Sequence, residues 1–283
     1  MHVMVAGAGI LGRELIKVLL NQGHEVTALA LFEREFKGLS HARLHCKAVD
    51  VTRAETLHGV ADGVRTVISC IGITRVNGKV THEAVDYQGN CNLLAEAERA
   101  GVQQFAIISP EGVELGRRSA PLLQARQKFE KRLQESRLAW LIIHSGGFFS
   151  DLAMMAQMAQ RSPMFVIGRG VERFTPIAVA DLAQLVTEEI GDVRARKVHV
   201  GGPETLSWNA IMQICFAHWN LPARIYHIPR WLCQLALVFV RPFSARYYSM
   251  GKLLVFMYTH DLPTPERGKT TLREYLKANV KAT

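Results

Sequence analysis

Three glycines at Gly-x-Gly-x-x-Gly spacing, Gly7, Gly9 and Gly12 in "GAGILG", are the first residues whose type and spacing imply a chemistry. They follow the apolar run "HVMVA" and open a stretch with Leu15, Val18 and Leu19 on one helical face, which Gly23 ends before a second apolar run, "EVTALAL". A strand, a glycine turn and a helix N-terminus in that order form a dinucleotide-binding fingerprint. Gly7 permits the tight turn, Gly9 lets backbone approach a pyrophosphate, and Gly12 lets helix and strand pack closely. The amides of Ile10, Leu11, Gly12 and Arg13 then face the phosphates at the positive end of the helix.

A second chemical signal lies in "SAPLLQARQKFEKRL", residues 119–133. At about 100° per residue, Leu122, Arg126, Phe129 and Leu133 share one stripe while Lys128, Lys131 and Arg132 point elsewhere. A cation turned toward a core needs a carboxylate or an anionic ligand. Arg126 is therefore expected either to pair, most simply with Glu130 or Glu111, or to meet a bound ligand.

The elements that must position these residues follow from alternation. "RLHCKAVDVT", "TVISCIGI", "QFAIISPEG" and "LAWLIIHSGGFF" are apolar runs separated by helical stretches, the signature of a parallel, doubly wound α/β sheet. Ligands bind beyond the carboxyl ends of such strands. That rule nominates Asp50 and Val51, then Cys70, Ile71 and Gly72, then Ser109, and finally Ser145, Gly146, Gly147 and Phe148. Cys70 reads more simply as a small buried residue than as a nucleophile. The second strand ends at Leu31 rather than at an acid, with Glu33, Arg34 and Lys37 beyond it, and Arg13 is a further basic neighbour. These cations favour NADP over NAD.

Composition narrows the class. The chain of 283 residues carries 34 Lys+Arg against 25 Asp+Glu, a net charge of +9 that favours anionic ligands or surfaces. No basic helix in a base-reading context and no RNA-binding signature accompanies that charge, so no nucleic-acid partner is expected. Five cysteines without a Cys-x-x-Cys pair argue against a zinc site and a disulfide framework, and with them a reducing, cytoplasmic setting is expected. "MHVMVAGAGIL" lacks a basic leader and reads as a first strand rather than a signal sequence.

Taken in order, "GAGILG", "VDVT", "SCIG", "VDYQGNCNLLAEAERAGVQQFAIIS", "HSGGFFSDL", "FTPIAVADLAQLV" and "VGGPETLSWNAI" resemble the atypical short-chain dehydrogenase/reductase superfamily, in its extended-like, NmrA-like and epimerase-like members. The resemblance covers roughly the first three quarters of the chain. It implies a Rossmann-type core over residues 1–150, and a small, mostly helical substrate-side region over 151–283 that is interleaved with the core. It also implies a Tyr-x-x-x-Lys pair after the "IIS" strand, but the matching positions are Leu122 and Arg126, so the usual proton donor is missing. Ser109 stands where the family's hydroxyl partner would be, and Arg126 is expected to hold a ribose or phosphate oxygen. His144, with Ser145, replaces a frequent Arg-Pro and is a third candidate for proton chemistry. A Tyr-x-x-x-Lys at Tyr248 and Lys252 lies outside the family's position and reads as coincidence.

The last quarter changes character. "IPRWLCQLALVFVRPF" and "MGKLLVFMYTH" are apolar runs bounded by Arg230, Arg241 and Lys252, each too short to cross a bilayer. They predict either helices closing an apolar pocket or an exposed surface for a membrane or hydrophobic partner across residues 230–258. Two functions remain open. One is an NAD(P)-dependent oxidoreductase or isomerase on a small apolar carbonyl or cyclic substrate; the other is a non-catalytic NADP(H) sensor or assembly factor.

Overall fold

Strand β1 (His2–Ala6) is buried on both faces from Val3 onward, the condition of a central strand in a parallel sheet. The computed structural model describes residues 1–73, 76–78 and 80–281. From β1 the chain runs through α1 (Ile10–Asn21), β2 (Glu25–Ala30), β3 (Leu44–Ala48) and β4 (Thr66–Ser69). A π-helical segment, Glu83–Gly89, leads into α2 (Asn90–Arg99). Then follow β5 (Gln104–Pro110), α3 (Val113–Gly116), α4 (Pro121–Gln134) and β6 (Ala139–Ser145). The remainder comprises α5 (Phe149–Ala159), β7 (Met164–Ile167), β8 (Arg173–Phe174), α6 (Val179–Glu189), β9 (Arg196–Val200), β10 (Leu206–Ser207), α7 (Trp208–His218), β11 (Ile225–Ile228), α8 (Arg230–Val240), α9 (Ala245–Tyr258) and α10 (Leu272–Asn279).

Seven strands pair in the order β3-β2-β1-β4-β5-β6-β9, all parallel. The order reverses direction between β1 and β4, which opens a crevice at their carboxyl ends. This is the Rossmann-type sheet, and β9 brings the chain back to complete it. Alternate residues of each strand supply two cores. Val3, Val5, Ile108 and Ile143 pack under α1 and α6 through Leu15, Leu19, Leu182 and Val186. Met4, Ala6, Phe105, Ile107 and Ile142 pack under α2 and α4 through Leu93, Leu94, Phe129 and Leu133.

A third core lies beyond the strand ends, where Phe149, Leu152, Ile211, Cys215, Phe256 and Leu272 join α5, α7, α9 and α10. Trp208 anchors it, stacked on Tyr258 at 3.9 Å between centroids and tilted against Phe174 at 4.6 Å. Thr271 starts α10 with a capping box closed by Glu274.

The two late apolar runs do different work. α9 turns Val255 and Phe256 inward, whereas no residue of α8 is buried. Of the two alternatives read from sequence, α9 supplies residues to the apolar end of a cavity, whereas α8 presents an exposed apolar surface.

The glycine loop separates three physical demands. Gly7 has φ +103° and donates its amide to Leu29 O at 2.8 Å. A Cβ on Gly12 would stand 1.8 Å from Gly7 O, so α1 approaches the turn as closely as backbone allows. Around Gly9, the N-cap of α1, a Cβ would meet nothing within 4 Å. Gly12→Ala is thus expected to lower unfolding free energy by about 2 kcal/mol or more in urea titrations, because backbone must yield. An unchanged midpoint would refute this packing account.

Candidate functional site

The crevice at the carboxyl ends of β1, β4, β5 and β6 continues into a cavity of about 400 Å³. At one end lie Gly9, Ile10, Leu11 and Gly12, where α1 begins with no acidic residue in its first turn. Its amides are thus presented without a protein carboxylate competing for them. Cys70, Gly72, Ser109 and Arg126 form the middle, and Gly146, Gly147 and Phe148 one side. The far end is apolar: Leu122, Phe174, Leu253, Phe256, Met257 and Leu262. No tyrosine or lysine is among the described residues lining the cavity.

Arg126 is 7% exposed and spans the junction of three elements. Its Nη2 donates to Ile71 O at 2.7 Å beyond β4 and stands 3.0 Å from Asp86 Oδ1 on the π-helical segment. Its Nη1 donates to Ile108 O of β5 at 3.4 Å. The carboxylate partner is Asp86 rather than Glu130 or Glu111, because the guanidinium extends past the end of β4 instead of along its own helix. Asp86 Oδ2 lies 2.9 Å from His82 Nδ1, and His82 Nε2 3.1 Å from Ser249 Oγ of α9. Gly72 makes room for this junction, since a Cβ there would come 2.1 Å from Arg126 Nη2 and 2.7 Å from Asp86 Oδ1. Nε of Arg126 has no hydrogen-bond partner among the described residues. Arg126 is therefore a structural tie that also forms part of the cavity wall.

Beside it runs a second buried chain. Ser109 Oγ donates to Glu130 Oε1 at 2.6 Å, and His144 Nε2 lies 3.0 Å from the same oxygen. These three residues are at most 5% exposed. Ser109, His144 and His199 share one row across β5, β6 and β9, so their side chains leave the same face of the sheet. The rings of His144 and His199 meet edge to face at 4.9 Å, and His199 Nδ1 lies 2.6 Å from Glu111 Oε2. His199 is exposed and Glu111 is at the cavity wall, so polar side chains connect Ser109 in the cavity to solvent.

Twelve of the residues nominated from sequence line the cavity: Gly9, Ile10, Leu11, Gly12, Cys70, Gly72, Ser109, Arg126, Ser145, Gly146, Gly147 and Phe148. The others do not. Gly7 shapes the turn, and Ile71 gives its carbonyl to Arg126. Asp50 Oδ1 accepts from the Thr52 amide and hydroxyl, and Val51 O from Asn92 Nδ2. Arg13 donates to the carbonyls of Glu35 and Lys37 at 2.6 and 2.8 Å, while Arg34 lies over the Phe32 ring. His144 stands behind Glu130, outside the cavity. Tyr248 and Lys252 line a different cavity, between α8 and α9. Asp86 and Glu130 were not singled out as site residues from sequence, although Glu130 lies one turn after Arg126 and Asp86 falls in "VDYQGN". Burial pushes the Cys70 thiol up to about 12 against the opposing pull of the Arg126 cation, so it stays protonated at neutral pH.

A family model for NAD(P)H-binding matches residues 7–192. The chain belongs to that NAD(P)H-binding family. It is similar to the photosystem II assembly factor Ycf39 of Synechocystis sp., 26% identical over 257 residues that cover 89% of this chain and 77% of that protein. It is also similar to the divinyl chlorophyllide a 8-vinyl-reductase of Arabidopsis thaliana, 25% identical over 230 residues that cover 71% of this chain and 53% of the other. Among solved structures, the Escherichia coli NADPH-dependent quinone oxidoreductase QOR2, complexed with NADPH, superposes with a TM-score of 0.73. It shares 16% identity, over 98% of this chain and 99% of its own length. These relatives place the NAD(P)H-binding chain among atypical short-chain dehydrogenase/reductase and NmrA-like proteins, and the shared architecture is the Rossmann-type fold.

The buried ion pair makes a stability prediction for this family member. Arg126→Leu strands Asp86 without its cation and is expected to cost about 3–5 kcal/mol. Arg126→Leu with Asp86→Leu should regain a large part of that loss in the same denaturation assay. Equal losses for the single and double variants would show that the pair is not the tie described. In the folded protein, Cys70 and Cys215, also raised to about 12, are expected to resist iodoacetamide at pH 8 while exposed Cys46 reacts. Peptide mapping of the alkylated protein reads the order.

Proposed function

We propose that this protein is an NADP(H)-dependent oxidoreductase that reduces a small, apolar carbonyl or quinone-like compound. The observation that carries the reading is the single cavity joining an acid-free helix N-terminus to an apolar end through Ser109 and Arg126. The open space at Gly9 fits a pyrophosphate lying against backbone. NADP is favoured over NAD because β2 is followed by exposed Leu31 rather than an acid, with Arg13 held beside the segment that carries exposed Arg34. The cofactor, when bound, supplies hydride to the substrate's electrophilic carbon.

What the chain itself supplies is a proton and an orientation. Leu122 occupies the place of the family's tyrosine, so the hydroxyl nearest the middle of the cavity is that of Ser109. Ser109 Oγ gives its proton to the developing alkoxide or phenoxide oxygen. Glu130, whose Oε1 contacts both Ser109 and His144, relays the replacing proton. The exposed His199 and Glu111 lie where His144 can regain a proton from solvent. Arg126, in the cavity wall, contributes its positive charge toward a ribose or phosphate oxygen. The far wall of Leu253, Phe256 and Met257 selects an apolar substrate rather than a sugar nucleotide.

A second reading, a non-catalytic NADP(H)-responsive sensor or assembly factor, is favoured by the similarity to Ycf39 over most of the chain and by the missing tyrosine. Turnover separates the two. Fluorescence titration with NADPH and NADH, followed by carbonyls and quinones, is expected to show tighter NADPH binding and oxidation of bound NADPH by at least one acceptor. Binding without oxidation across the panel would favour the sensor, and no binding of either nucleotide would sink both readings. Gly9→Ala should keep the wild-type Tm yet weaken NADPH by about tenfold or more, roughly 1.4 kcal/mol, because the new methyl enters only ligand space. With an active acceptor, His144→Phe should lower kcat about tenfold or more while leaving NADPH affinity unchanged, because it removes the group that shares Glu130 Oε1 with Ser109.

A further inference from the structure

Between Glu204 and Asp261 the chain contains no aspartate or glutamate, but it holds five basic residues, Arg224, Arg230, Arg241, Arg246 and Lys252. α8 lies within this acid-free stretch. Surface helices ordinarily bury an apolar stripe and expose a polar face. α8 does the opposite: Trp231 is 64% exposed, Val238 67% and Phe239 66%, and Phe243 at the following turn is 88% exposed. Helical spacing puts Trp231, Leu235, Val238 and Phe239 on one side. The inner side rests on α9, where a Cβ on Gly251 would come 2.5 Å from Leu237 Cδ2. The apolar face is thus held outward by packing on its reverse side.

The flanking charges identify what fits this face. Arg241 and Arg246 rest against the rings of Tyr248 and Tyr247, both at 5.8 Å. No ion pair engages Arg230, Arg241, Arg246 or Lys252 among the described residues. Between α8 and α9 a cavity of about 300 Å³ is lined by Arg230, Arg241 and Lys252 together with Leu237, Val238 and Val255. Cations beside apolar walls match a phosphate headgroup with its adjoining acyl chain. A helix of 11 residues is about 17 Å long, against about 30 Å of bilayer hydrocarbon, so it cannot span. It can lie in the interface, with aromatic residues and cations at headgroup level.

We propose that the α8–α9 hairpin docks this protein on an anionic phospholipid bilayer, with α8 lying in the membrane plane. The outward apolar face enters the acyl boundary, and Arg230, Arg241 and Lys252 hold lipid phosphate. This proposal requires neither cofactor nor turnover. It gives the site a consequence all the same, because Phe256 lines both the interhelical cavity and the apolar end of the 400 Å³ cavity. A membrane-dissolved compound would approach from that side.

The test is sedimentation of the full chain with phosphatidylcholine vesicles, with and without phosphatidylglycerol, at low and high salt. Binding is expected to be at least about tenfold stronger to phosphatidylglycerol vesicles and to weaken with salt. Val238→Glu with Phe239→Glu should abolish binding to both compositions, and Arg230→Glu with Arg241→Glu should remove the preference for the anionic lipid. These positions are exposed, so the variants should keep the wild-type Tm; if one fails to fold, the comparison of vesicle compositions with the unaltered protein still decides. Binding to neither vesicle, or equal binding to both, would overturn the proposal. A concentration-dependent dimer that Phe239→Glu dissolves, without vesicle binding, would assign the face to a second copy of the chain instead.

Discussion

The guanidinium of Arg126 meets Asp86 where α4, the end of β4 and the π-helical segment converge, and the geometry of the cavity depends on that meeting. A buried cation and a buried anion each carry a large desolvation cost, and neither can be withdrawn without leaving the other exposed to it. The pair therefore fixes the position of α4 relative to the strand ends. Ser109 and Glu130 follow from that placement: once α4 is set by Arg126, Glu130 one turn later falls within 2.6 Å of the Ser109 hydroxyl. Gly72 is part of the same constraint, because only a residue without a side chain leaves the guanidinium its place.

The same junction shows why an arginine suits this position. On the part of α4 that lines the cavity this chain carries Leu122 and Arg126. An arginine remains charged and keeps several donors in a plane, so it can satisfy two carbonyls and a carboxylate at once. It makes a better strut than a proton-tuning lysine would. The hydroxyl at Ser109 meets Glu130, one turn after Arg126 on α4, and through it His144 on β6. The buried Ser109–Glu130–His144 chain and the structural tie thus occupy separate side chains.

The C-terminal helices show how one hydrophobic sequence can serve two ends. α8 and α9 are similar in apolar content, yet α9 buries Val255, Phe256 and Tyr258 while α8 buries nothing. The difference comes from position. α9 lies between the third core and α4, with Phe256 inserted at the cavity, whereas α8 packs on α9 and leaves Trp231, Val238 and Phe239 exposed. An exposed apolar face of this kind, ringed by cations, belongs with an interface rather than a core.

The sequence by itself determined the parallel sheet, the turn at Gly7, the open backbone at Gly9 and the close packing at Gly12, since each follows from local conformation or from short-range periodicity. It also singled out Arg126, because an unpaired charge on an apolar stripe is costly wherever the helix packs. It did not determine the partner. Asp86 lies forty residues before Arg126 and approaches it only through the crossing of the π-helical segment over the strand ends, whereas Glu130 was the nearer choice along the helix. The tertiary structure alone decided which strand-end residues face the cavity and which, such as Asp50 and Val51, spend their polar groups on neighbouring backbone and side chains. It alone separated α8 from α9 as well. Hydrophobic pattern records that a surface must be covered, but what covers it depends on contacts between residues far apart in the chain.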